Sequence, residues 1–64
     1  MEVNGKYMKV VSPITIELLI FKEGYNQDRV AVELNGKIVP RSEYGTTLLG
    51  DEDSVEIVRF VGGG

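Results

Sequence analysis

The chain has 64 residues, none of them Cys, His or Trp, and its seven Lys and Arg against ten Asp and Glu give a net charge of −3. A single domain of this length buries only about 60% of the surface its unfolded chain exposes, so no deep substrate cavity fits beside its core. Without Cys and His the usual metal sites, disulfides and nucleophile–base pairs are missing, and the acidic balance argues against nucleic acid. The expectation is a folded globule with no metal site and no catalytic residues of its own, rather than an autonomous enzyme.

Met1 to Val11 reads as a hairpin, with Asn4-Gly5 as a type I′ turn pair and Val10 and Val11 closing the second arm. Ser12-Pro13 ends it, because Pro lacks the N–H that a central ladder needs. Thr15 is a candidate N-cap, and Ile16, Leu19 and Ile20 at i, i+3, i+4 form one core-facing stripe. Ile14 before the cap can staple against Leu19. With Gly24 at the C′ position, the helix runs from Ile16 to Glu23. Leu18 and Phe21 fall off the stripe, and they read either as partly buried helix-edge residues or as part of a docking patch.

A second hairpin spans Arg29 to Val39 around Asn35-Gly36, and Pro40 stops it. Residues 41–50 show no clean period and read as a crossing loop with a short helical turn, anchored by Leu48 or Leu49. Asp51-Glu52-Asp53 is an acidic turn, more often a solvated loop than a divalent-ion site. The last strand covers Ser54 to Val61. Its alternation puts Val55 and Ile57 on one face and Glu56, Val58 and Phe60 on the other. Tyr7, Tyr25 and Tyr44 read as half-buried amphipathic packing. The fold class is α+β, a mixed sheet of four to five strands with one helix across one face. If Val55 and Ile57 pack under that helix, Val58 and Phe60 are either wrapped by the long loop or left as an exposed apolar patch of the kind that marks protein contacts.

Gly62-Gly63-Gly64 follows the last strand directly. A glycine run offers no core contacts and loses much backbone entropy if ordered, so the reading is a domain over 1–61 and a flexible tail over 62–64. Composition alone leaves two accounts open. One is a linker remnant or frayed end. The other is a carried acyl group: a terminal carboxylate, inert until activated, on a tail without Cβ atoms that can thread a narrow channel.

The N-terminus has no basic region leading into an apolar stretch, and the longest apolar run is Leu18 to Phe21, against the roughly 20 residues a membrane helix needs. No membrane association is expected, and a cytoplasmic location is the default for a chain without Cys.

Five blocks together carry a resemblance. They are Asn4-Gly5-Lys6, Thr15-Ile16 with Leu19-Ile20, the run from Asn35 to Arg41, the run from Asp53 to Val58, and the ending from Phe60 to Gly64. In them the chain resembles the ubiquitin-like β-grasp domains and, within these, the ThiS sulfur carriers of thiamin biosynthesis. The resemblance implies a protein co-substrate with no bound cofactor. A ThiF-type adenylyltransferase would use ATP to adenylate Gly64, and a sulfur donor such as a cysteine desulfurase would convert it to a thiocarboxylate. Thiazole synthase would accept the sulfur. Gly62 and Gly63 would be the threading tail, with Val58, Phe60, Leu18 and Phe21 in docking surfaces. Two other readings compete: a sulfur carrier for molybdopterin or another pathway, and a ubiquitin-like modifier or interaction module.

Overall fold

The computed structural model describes residues 1–60; the predicted end of the last strand at Val61 and the glycines Gly62, Gly63 and Gly64 lie outside them. The elements in chain order are β1 (Glu2–Val3), β2 (Lys6–Tyr7), β3 (Ile14–Thr15), α1 (Ile16–Lys22), β4 (Val30–Leu34), β5 (Lys37–Ile38), β6 (Leu48–Leu49) and β7 (Ser54–Arg59). Short 3₁₀ turns cover Gln27–Arg29 and Arg41–Glu43.

Five strands form one mixed sheet in the order β2-β1-β7-β4-β5. β1 and β7 run parallel, and every other neighbouring pair is antiparallel. The last strand is therefore the middle of the sheet. Both hairpins turn as their Asn-Gly pairs require, since Asn4 and Asn35 hold φ at 51° and 52° and the following glycines at 83° and 87°.

Helix α1 has only seven residues, too few to persist alone, so its ends and its packing hold it. All three of its first backbone donors find acceptors. Ile16 N–H reaches Thr47 C=O at 3.1 Å, Glu17 N–H reaches Tyr44 C=O at 2.9 Å, and Leu18 N–H reaches the Thr15 hydroxyl at 3.1 Å. At the other end Gly24, at φ 80°, closes a Schellman motif in which Tyr25 N–H donates to Ile20 C=O and Gly24 N–H to Phe21 C=O. Glu23 is the C-cap rather than the last helical residue.

The helix buries Ile16, Leu19 and Ile20 against Val3, Val30, Val32, Val55 and Ile57 of the sheet. Met1, Val39, Tyr44 and Leu49 complete the core, and Ile14 packs at its margin beside the N-cap. No buried side chain among the described residues is polar or charged, apart from the hydroxyl that Tyr44 carries.

Three expectations need correction. The first hairpin's second arm ends at Tyr7, and Val10 and Val11 are not in a strand. Val10 N–H donates to the Asp51 carboxylate instead, which takes the segment off the ladder and leaves Val11 exposed. The crossing segment also holds a strand, since β6 pairs antiparallel with β3 in a separate two-stranded sheet with Thr15 opposite Leu48 and Ile14 opposite Leu49. That pairing settles the anchor: Leu49 is buried and Leu48 exposed. The three tyrosines differ as well. Tyr44 is fully in the core, Tyr25 lies at its margin, and Tyr7 is exposed beside Asp51.

Candidate functional site

Strand β7 carries the chain through the centre of the sheet toward Gly62–Gly64, and two asparagines hold it. At its start, Asn35 donates its backbone N–H to Ser54 C=O at 2.8 Å and accepts Ser54 N–H with its side-chain oxygen at 2.9 Å, while its side-chain amide donates to Asp53 at 3.0 Å. Farther along, the Asn4 side-chain oxygen accepts Ile57 N–H at 2.7 Å, and Asn4 N–H donates to Val55 C=O at 2.9 Å. The turn residues of both hairpins thus double as clamps on the strand between them. The ladder continues through Phe60, whose N–H donates to Arg29 C=O at 2.9 Å.

The predicted alternation along β7 holds. Val55 and Ile57 are buried, whereas Val58 and Phe60 are 55% and 59% exposed on the face turned away from the helix, where no loop among the described residues covers them. Register assigns other residues to this open face. Ala31 lies opposite Val58, Glu33 opposite Glu56, and Ile38 opposite Glu33. Ile38, 66% exposed, was legible in principle from its position across the Asn35-Gly36 turn from Glu33, because residues facing each other across a hairpin share a side.

Leu18 and Phe21 are elsewhere. They lie on the outward side of α1, where with Thr15 and Glu17 they line a shallow groove. Phe21 is 78% exposed and Leu18 sits nearer the helix margin. Leu48 joins them through its register with Thr15, a neighbour that a two-residue strand gives no periodicity to reveal. The four apolar residues singled out from the sequence therefore form two patches with the core between them: Val58 and Phe60 on the sheet, Leu18 and Phe21 on the helix.

The acidic turn is structural. Asp51 accepts from the Met1 ammonium at 3.1 Å, from Val10 N–H at 3.2 Å and from the Tyr7 hydroxyl at 3.3 Å. The ammonium hydrogen bond first, and then the Val10 N–H, holds the Asp51 carboxyl below the usual aspartate range. Its charge in turn pushes the Tyr7 phenol up. Asp53 is lowered chiefly by Gly50 N–H, 2.8 Å away, and next by the Asn35 amide. Asp51 Oδ1 and both Asp53 carboxylate oxygens are thus engaged by internal donors, and no group of three potential metal ligands occurs among the described residues. Arg59, on the helix side of β7, lays its guanidinium over the Tyr25 ring at 4.7 Å.

What this geometry provides is a rigid central strand leading to a glycine run, beside an uncovered apolar face. The family model for ThiS matches residues 1–64, the whole chain. The chain belongs to the ThiS family.

Among ThiS relatives, the sulfur carrier protein ThiS of Bacillus subtilis is 37% identical over 65 aligned residues, covering 100% of this chain and 98% of that protein. A thiazole synthase of Paramagnetospirillum magneticum is 40% identical over 62 residues, covering 97% of this chain but 19% of the synthase. The crystal structure of the thiamine biosynthesis protein ThiS from Geobacter metallireducens superposes with a TM-score of 0.81 at 33% identity, covering 98% of this chain and 96% of that one. The fold is accordingly the ubiquitin-like β-grasp of the ThiS structures, one helix on a mixed sheet of five strands. No helix among the described residues is long and apolar enough to cross a membrane.

Proposed function

We propose that this chain is a sulfur carrier for thiazole formation in thiamin biosynthesis, with Gly64 as the residue that is activated and loaded. The observation that carries the reading is the end-to-end correspondence with the B. subtilis carrier, which spans both chains almost completely and includes the glycine ending.

A carboxylate is a poor electrophile. Attack of the Gly64 carboxylate on the α-phosphorus of ATP in a ThiF-type adenylyltransferase releases pyrophosphate and leaves an acyl-adenylate. Sulfide displaces AMP to give the thiocarboxylate directly. With the persulfide of a cysteine desulfurase as donor, its terminal sulfur displaces AMP to form an acyl disulfide, which a thiol then cleaves, leaving the thiocarboxylate and a disulfide. ATP is a substrate of the activating enzyme, and the carrier contributes its terminus and its recognition surfaces. Gly62 and Gly63 form the threading tail, because residues without Cβ atoms let the backbone approach a nucleotide closely. Thiazole synthase is the acceptor, a reading supported by synthases that contain a segment like this chain. Val58 and Phe60 contribute one docking surface, and Leu18 and Phe21 a second.

The test is intact-mass analysis after incubation with a ThiF-type adenylyltransferase, ATP and a sulfide source. The expected result is a mass change for replacement of one oxygen by sulfur, abolished by deletion of Gly64. No adenylate and no thiocarboxylate, with an enzyme active on another carrier, would overturn the reading.

A further inference from the structure

The charges on the five-stranded sheet are sorted by face. Its three strand cations all share a side with core residues: Lys6 lies opposite Val3, Lys37 opposite Leu34, and Arg59 opposite Val30. Its three strand carboxylates all take the other side. Glu2 lies opposite Tyr7 and beside Ser54, and Glu33 lies opposite Glu56. The open face is thus acidic as well as apolar.

The Glu33–Glu56 pair is the telling element. Asn35 N–H donates to Ser54 C=O at one end of the pairing and Phe60 N–H to Arg29 C=O at the other, so by the ladder's alternation Glu33 and Glu56 are a hydrogen-bonded pair, with Cβ atoms about 5.5 Å apart. Like charges directly opposite on one face destabilise a sheet. Among the described residues neither glutamate has a Lys or Arg within ion-pair distance. The central strand pair therefore sets two carboxylates opposite each other with no cation paired to either among the described residues. Two residues along β7, toward the glycines, the same face turns apolar with Val58 opposite Ala31, and then Phe60. Arg29 lies beyond the strand end, across from Phe60.

We infer that the open face docks a partner protein whose surface sets Lys or Arg side chains beside an apolar contact area, the cations seating on the Glu33–Glu56 row and the apolar area on Val58 and Phe60. Such a partner cancels the repulsion and buries the exposed side chains in one contact. A second copy of the chain is the wrong occupant, since two open faces brought together oppose glutamates to glutamates. The inference rests on the docking role proposed above for Val58 and Phe60 and adds to it the charge of the partner.

The experiment is titration calorimetry of the chain against a ThiF-type adenylyltransferase without ATP, at low and at high salt, with the wild type, E33Q/E56Q and E33K/E56K. Binding to the wild type should weaken as salt rises. It should fall about tenfold or more in E33K/E56K and lose most of its salt dependence in E33Q/E56Q. The melting temperature of E33Q/E56Q alone should rise while its binding weakens, an opposite sign that a merely structural role for the pair cannot produce. E33K/E56K keeps two like charges opposite each other and should show no such rise. No binding by the wild type, or equal binding by all three proteins, overturns the inference. So does a dimer of the wild type that E33K/E56K dissociates, which would make a second copy the occupant. The carrier reading is judged separately by the mass of Gly64: binding without adenylation sinks that reading and leaves the docking surface standing.

Discussion

Asn35 has two separable tasks, a left-handed turn conformation at φ 52° and a side chain that accepts Ser54 N–H and donates to Asp53. Asn35→Gly keeps the turn and removes the clamp, and should cost on the order of 1 kcal/mol in chemical denaturation. Asn35→Ala loses both, and the left-handed backbone adds about 1–2 kcal/mol. Equal losses in the two variants would mean that the side-chain bonds contribute everything and the conformation nothing. The aspartates nearby make stability depend on acid. Asp51 and Asp53 titrate lower in the folded chain than in the unfolded one. Their contribution is therefore complete above about pH 4 and is lost as pH falls through the folded values. The urea midpoint should drop on acidification below that point, and Asp51→Asn with Asp53→Asn should flatten the drop. An unchanged slope in the double variant would assign the acid sensitivity to other carboxylates.

At the scale of elements, α1 owes its existence to its ends and its stripe. Thr15→Ala should destabilise the domain by about 1 kcal/mol, because Leu18 N–H loses its acceptor. Leu19→Ala, at a fully buried position, should cost about 2–5 kcal/mol. Thermal or urea unfolding of the two variants gives the comparison, and a Thr15→Ala loss as large as that of Leu19→Ala would contradict it. These parts were legible because each leaves a local mark. Thr15, Gly24 and the two Asn-Gly pairs act through backbone geometry that residue type alone prescribes, and the stripe of Ile16, Leu19 and Ile20 repeats at helical spacing. What was not legible depends on remote partners. Two residues, Leu48 and Leu49, show no period, so only their pairing with Ile14 and Thr15 makes them a strand. Val10 and Val11 suit a strand by composition, yet Asp51, 41 residues from Val10 in sequence, takes the Val10 N–H. The site divides the same way. Val58 and Phe60 followed from alternation along one strand, whereas the Glu33–Glu56 opposition needs the β4–β7 register, which no single segment contains.

For the molecule as a whole, the separation of the two apolar patches constrains how a carrier is handled. Val61 and the three glycines span at most about 14 Å when fully extended. On the reading proposed above, a partner that reacts with Gly64 sits against the end of the sheet where Phe60 emerges, and Val58 belongs to the contact face proposed for it. Leu18, Phe21 and Leu48 are on the helix side, with the core between them and that face. A single partner touching both patches would have to wrap the domain, so the two patches should serve different partners. Val58→Ser with Phe60→Ser should raise the KM for the carrier in adenylation about tenfold or more with kcat little changed, which is the mark of a lost docking contact. Leu18→Ser with Phe21→Ser should leave that KM within about twofold and keep stability within about 0.5 kcal/mol, since both side chains are exposed. The helix pair should instead weaken binding to another protein of the sequence, with thiazole synthase the first to measure by calorimetry. If both double variants impaired the same partner and spared the other, the two patches would be one wrapped interface, and the division of the carrier into a sheet side and a helix side would fail.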